Sequence, residues 1–277
     1  MTDKRKKQLL VWIGSGVIAL ICLTPFIWMI LISFAKYPDF LASEKIPYIF
    51  TLKNYVQIIT THDLHVMDYF KNSLIVAIIV VFVTITIASF AGYAVSRIKF
   101  RGKTVIILGI LAVSMFPQIS IVGYLFKFMT QIRWINTYQA LVFPYIAWVL
   151  PLSLWILIGY FMQLPSELDE AAMVDGATRM QTLTKIVIPL ATPGIFSTAL
   201  LAFIGSFNEF MFALMLTTDY HARTMPVGIA LFEGLHGEIP WGQIMATSAI
   251  ASVPLVIMTL IFQRYIVQGL TAGAIKG

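Results

Sequence analysis

Six stretches of this chain run for more than about 20 residues without an Asp, Glu, Lys or Arg. They lie between Lys7 and Lys36, Lys71 and Arg97, Lys103 and Lys127, Arg133 and Glu167, Lys185 and Glu209, and Glu238 and Arg264. A helix rises about 1.5 Å per residue, so roughly 20 apolar residues cross a hydrocarbon core about 30 Å thick. Composition agrees: 59% of the 277 residues are hydrophobic and 12% are charged, against about 25% charged in a soluble domain. Too few polar side chains remain to cover a water-soluble surface. A soluble enzyme, a disordered chain and a secreted disulfide scaffold are thereby excluded. The expected fold is an all-α membrane protein with six transmembrane helices, at 9–34, 73–95, 104–126, 140–162, 193–215 and 244–264. Transmembrane strands would alternate polar and apolar residues over about ten positions, and runs such as Leu74 to Ile87 do not.

Lys4, Arg5, Lys6 and Lys7 precede the first span like the basic region of a secretory signal. Its apolar run to Phe34 exceeds the usual 7–15 residues, and no small-residue cleavage site ends it. It reads as a retained signal anchor. Basic residues favour the cytoplasmic side. With the N-terminus inside, twelve Lys and Arg fall inside and seven outside. The acid-free cluster Arg97, Lys99, Arg101 and Lys103 then holds the second connection inside. Six crossings return the C-terminus to the cytoplasm. The same asymmetry accounts for the net charge of +6 without nucleic acid. Residues 35–72 and 216–243 are the two large outer connections.

The chemistry-bearing residues are few. Cys22 is the single cysteine, and it reads as a packing residue. His62, His65, His221 and His236 lack a metal-ligand pattern, so no metal is expected. Most of the tryptophans fall near the expected interfaces, as in an aromatic belt. Pro144 and Pro151 interrupt the backbone bonding of the fourth span, and read equally as a functional bend or as tolerated kinks. Asn208 and Glu209 near the end of the fifth span, and Gln118 after Pro117 in the third, are candidates for a solute pathway, because polar groups in a membrane usually face protein or water. For Glu209 an interfacial carboxylate or an intersubunit bond is the competing reading. Gly102-Lys103-Thr104 ends like a phosphate-binding loop, but Arg97 stands where that loop needs glycine. The chain therefore has no nucleotide cradle of its own.

The longest expected cytoplasmic connection is LPSELDEAAMVDGATRMQTLTKIVIPLATPG, from Leu164 to Gly194. Ser166 is a good N-cap, and Asp169 three residues later makes a variant capping box. Glu167, Asp169 and Glu170 suit the positive end of a helix dipole. Gly176 suits its C-terminal stop. A short helix is expected over about 167–175 and a second amphipathic stretch over about 178–187, before Pro189 and Pro193 break the chain.

EAAMVDGA (Glu170 to Ala177), followed by Ile188-Pro189-Leu190, resembles the EAA loop of ABC importer permeases. The DGA ending and FNEFMFALMLT (Phe207 to Thr217) resemble the carbohydrate-uptake branch. The tail GLTAGAIKG (Gly269 to Gly277) resembles the end of the smaller permease subunit of maltose-type importers. The resemblance covers most of the chain and implies the type-1 ABC importer permease fold in a bacterial or archaeal inner membrane. Its implied role is half of a sugar pathway in an ATP-driven, binding-protein-dependent importer, not an enzyme. The implied partners are a second permease subunit, two ATPase subunits and an extracytoplasmic sugar-binding protein. ATP and Mg would be used by the ATPase, with no cofactor on this chain. Glu170, Ala171, Ala172, Asp175 and Gly176 would couple to the ATPase. Gly269, Leu270, Thr271, Ala272 and Gly273 would reach between the ATPase subunits, and residues about 218–240 would reach the binding protein. The expected organisation is 1–68 for the first span and outer loop, 69–264 for the permease core with its coupling loop at 164–193, and 265–277 for the tail. Two rivals stand beside it. One is an ABC permease for a non-sugar solute. The other is a secondary transporter, which would need coupling-ion sites inside the spans.

Overall fold

The structure is a computed structural model that describes residues 3–36, 49–232 and 239–274, with side chains of the last helix described as far as Gln263. Among the described residues every element of regular structure is helical. In order they are α1 (Asp3–Ser33), α2 (Lys53–Thr60), α3 (Val66–Arg97), α4 (Lys103–Ser114), α5 (Ile119–Gln131), α6 (Tyr138–Gln163), α7 (Glu167–Val174), α8 (Arg179–Thr182), α9 (Ile188–Leu190), α10 (Thr192–Phe207), α11 (Met211–Leu216), α12 (Met225–Ala230) and α13 (Trp241–Ala274). A π-helical turn, Leu183–Val187, joins α8 to α9.

Among the described residues four helical segments are long and apolar enough to cross a membrane: Leu10–Ser33, Val66–Arg97, Tyr138–Gln163 and Trp241–Gln263. The expected third and fifth spans differ from simple helices. The third is broken between α4 and α5, which meet at 86°. Pro117 lies in that break, where it lacks the amide needed to continue the ladder. Before the fifth span the chain bends by 79° at Ala191, between Pro189 and Pro193. The span itself then breaks at Asn208–Phe210, so that 193–215 is α10 followed by the short α11. Counting each bent pair as one span gives up to six.

Residues 1–67 and 229–253 form one compact unit, and 68–228 with 254–277 form a second. In the first, Ala35 and Phe50 make an antiparallel bridge. Asn54 ties it to the end of α1 by donating to the carbonyls of Ser33 (2.9 Å) and Ala35 (3.0 Å). Most apolar side chains of α1 are exposed.

The second unit holds the main core. Val76, Val80, Leu141, Tyr145 and Phe212 are buried in one cluster joining α3, α6 and α11. A second cluster packs Tyr93, Leu157, Phe161, Leu183 and Val187, and so seats the turn after α8 against α3 and α6. Helices approach closely where glycine allows it: a Cβ on Gly194 would sit 2.5 Å from the Tyr160 ring. The helix α6 continues through Pro144 and Pro151.

Candidate functional site

The Leu164–Gly194 connection folds from local signals. Glu167, Asp169 and Glu170 occupy the first turn of α7, where the helix dipole favours acids. Its other end closes in a Schellman motif: the Gly176 amide donates to the Met173 carbonyl (3.1 Å) and the Ala177 amide to the Ala172 carbonyl (2.9 Å). Gly176 has φ +83°, a conformation that costs a side-chain-bearing residue energy. After it Thr178 and Gln181 form a full capping box at the start of α8, with bonds of 3.3 and 2.8 Å. The T-x-x-Q spacing is legible in the sequence but was not among the expected signals.

The capping box expected at Ser166 and Asp169 does not form. Ser166 makes no side-chain cap bond, because its backbone is helical (φ −71°, ψ −20°) where a capping residue is extended, and the reciprocal bond is lost because the Asp169 carboxylate is engaged elsewhere. It is 6% exposed and accepts a 2.6 Å hydrogen bond from the Tyr93 hydroxyl. Its second oxygen lies 3.1 Å from Arg97 Nε, an ion pair without ideal hydrogen-bond alignment. The same Arg97 donates to the carbonyls of Leu164 (3.0 Å) and Pro165 (3.4 Å). One guanidinium thus joins the end of α3, the end of α6 and the start of α7. Burying both charges is tolerable because each meets its partner. Sequence spacing alone could not show this, since Tyr93 and Asp169 are 76 positions apart.

Among the expected coupling residues, Glu170, Ala171, Asp175 and Gly176 are exposed, whereas Ala172 is buried under α7. Val174 is 87% exposed and Met173 41%. The helix therefore presents an apolar tip together with an acidic flank.

The pathway candidates separate. Glu209 is 5% exposed, and its carboxylate accepts from the amides of Phe212 (2.8 Å) and Ala213 (3.2 Å). It satisfies amides at the start of α11 that have no intrahelical partner. Asn208 is exposed and turns its amide back to the Ile204 carbonyl (3.0 Å). Gln118 lines a cavity of about 780 Å³ beneath the α4–α5 bend, with Phe116, Phe128, Trp134, Phe143 and Trp148 among its walls. The structure brings Gln118 into that aromatic cavity and does not bring Glu209 to it.

At the other end of the core, Asn72 holds the chain after α11. It donates to the carbonyls of Tyr220 (2.8 Å) and Arg223 (2.9 Å), and accepts from the Tyr138 hydroxyl (2.6 Å). Asp219 accepts from the Asn136 amide (2.8 Å) and from the His221 backbone (2.8 Å). These bonds, that of the His221 amide first, lower the Asp219 pKa to about 2. Neither asparagine stands out in the sequence, since the partners of each lie more than 60 positions away along the chain. The side chains of Gly269 to Gly273 and His236 lie outside the described residues. Among the described residues no cluster could hold a metal ion.

Residues 84–272 match the family described as binding-protein-dependent transport system inner membrane component. The chain is 60% identical over 277 residues, all of both chains, to the trehalose/maltose transport system permease protein MalG of Thermococcus litoralis. It is 37% identical to the trehalose transport system permease protein SugB of Mycobacterium tuberculosis, covering 92% of this chain and 93% of the relative. The fold is similar to a chain of a bacterial ABC transporter involved in alginate import, with TM-score 0.76 and 19% identity over 96% of this chain and 98% of that one. It is also similar to a chain of the alginate transporter solved in complex with an alginate pentasaccharide-bound periplasmic protein, with TM-score 0.67 and 16% identity over 94% and 93%. At these identities the likeness concerns the fold.

Proposed function

The chain belongs to the family of binding-protein-dependent transport system inner membrane components, and from that membership we propose that it is a permease subunit of an ATP-driven importer for trehalose, maltose or a related glucoside. The observation that carries the sugar assignment is the 60% identity, end to end, with a trehalose/maltose permease. In this reading the chain supplies half of the pathway and pairs with a second permease subunit. A binding protein delivers the sugar from outside.

Energy comes from separate ATPase subunits that bind ATP and Mg. What supports this is the form of the Leu164–Gly194 connection. A short helix, closed at its C-terminal end and seated against α3 and α6, exposes Val174 and Glu170 beside small alanines. Such a rigid projection suits the cleft of a partner better than an unstructured loop does, because less chain entropy is lost on docking. The resemblance to maltose-type subunits assigns the tail, Gly269 to Gly273, a contact with the same ATPase subunits.

The test is uptake of labelled trehalose and maltose by proteoliposomes holding the complete transporter, with ATP and Mg on the ATPase side. Uptake that requires both ATP and the binding protein is the expected result. Uptake without ATP would replace this reading with secondary transport. A binding protein that ignores sugars would replace the substrate class.

A further inference from the structure

The coupling helix α7 is joined to the core in two ways. Along the chain it follows α6 through Leu164–Ser166 and precedes α8 through Gly176. Sideways it is held by α3, whose Tyr93 and Arg97 stand four residues apart and so share one helix face. Both reach the same carboxylate, Asp169, at 2.6 and 3.1 Å. Arg97 also covers the Leu164 and Pro165 carbonyls, which the end of α6 leaves without helical donors. The two backbone links are weak transmitters: one is a three-residue turn and the other a glycine at φ +83°. The side contact is buried, charged and made by groups with fixed geometry. In a low-dielectric setting such a contact resists separation far more than an exposed pair.

We propose that Tyr93, Arg97 and Asp169 are positioning residues of energy coupling, a clamp through which displacement of α7 by the ATPase is passed to α3. This rests on the reading of Leu164–Gly194 as the ATPase-docking segment. The α3 helix is the right recipient. It is 32 residues long and carries Val76 and Val80 in the core cluster near the far end. A shift imposed at Arg97 therefore acts on packing that also holds α6 and α11. Breaking the clamp leaves α7 free to follow the ATPase without moving α3, so ATP is consumed with little transport.

The experiment measures sugar uptake and binding-protein-stimulated ATP hydrolysis on the same proteoliposomes containing the full complex. Three variants are compared with the wild type. Asp169→Asn keeps the shape and removes the charge. Arg97→Lys keeps the charge and removes the fork. Tyr93→Phe removes only the 2.6 Å bond. The expected result is a fall in sugar carried per ATP of about tenfold for D169N, within the usual range of coupling strengths. ATP hydrolysis stays above one third of the wild-type rate, and R97K and Y93F fall between. A merely structural role would lower both activities together, in step with the amount of assembled complex. That outcome overturns the proposal, as does a D169N ratio within twofold of the wild type. Should D169N fail to assemble, Y93F decides by the same ratio, since it keeps the ion pair. A wild-type chain that neither binds an ATPase nor uses ATP would instead refute the functional reading on which the clamp rests.

Discussion

Gly176→Ala tests whether a left-handed glycine is what closes the end of α7. Gly176 holds φ +83°, and a Cβ built there meets nothing within 4 Å. The substitution therefore adds conformational strain without a collision. A left-handed residue with a Cβ costs about 1–2 kcal/mol, and the loss of glycine freedom in the unfolded chain returns about 0.4–1 kcal/mol. The net cost is about 1 kcal/mol, or roughly a fivefold rise in the opening constant of the last turn of α7. Hydrogen exchange of the Gly176 and Ala177 amides, which close the Schellman motif, reads it directly. Gly176→Asn should be milder, because asparagine tolerates this region better than alanine does. Gly102→Ala is the control: it meets the same strain at φ +93° with equal space, but lies at the turn before α4 and should leave α7 exchange unchanged. Wild-type exchange in G176A, or G176N more affected than G176A, would refute the reasoning.

Three further outcomes are expected. Glu209→Ala strands the Phe212 and Ala213 amides and should cost about 2–4 kcal/mol, whereas Glu209→Gln keeps one acceptor and should lose about 1 kcal/mol, both read from thermal unfolding in detergent; a stable E209Q that no longer transports would show that the charge itself serves the pathway. Asn72→Ala removes three hydrogen bonds and should cost about 3 kcal/mol, with faster exchange at residues 220–223. The depressed Asp219 pKa of about 2 means that its stabilising contribution is present above the ordinary aspartate range near 4 and is lost as pH falls from about 4 to about 2; the protection of the amides at residues 218–223, exchange taken relative to the intrinsic rate at each pH, should fall over that window in the wild type and change less in Asp219→Asn.

Hydropathy made the spans legible, because a membrane penalises charge so heavily that six uncharged stretches stand out. The bends were less legible. Met115 and Phe116 before Pro117, and Ile119 and Ile121 after it, keep the third stretch apolar on both sides, so averaged hydropathy runs through a break of 86°. In the fifth, Glu209 reads as a lone acid near a span end, and only the structure shows it serving the amides of a new helix. The Leu164–Gly194 connection is legible at Gly176, where a local rule governs the backbone. It was misread at Asp169, where a cap three residues away competes with Tyr93 and Arg97 more than 70 positions distant. Local signals decide local geometry, while a buried charge follows whichever partner compensates it best.

Central to the proposed function is contact between α7 and a separate ATPase. It is tested most directly by placing a photo-crosslinking side chain at Val174, which is 87% exposed, in the purified transporting complex. Mass spectrometry of the adduct should identify a peptide from the ATPase subunit, with a yield that changes between nucleotide-free and ATP-bound states. Adducts only to lipid or to the second permease, in a complex that still transports, would contradict it.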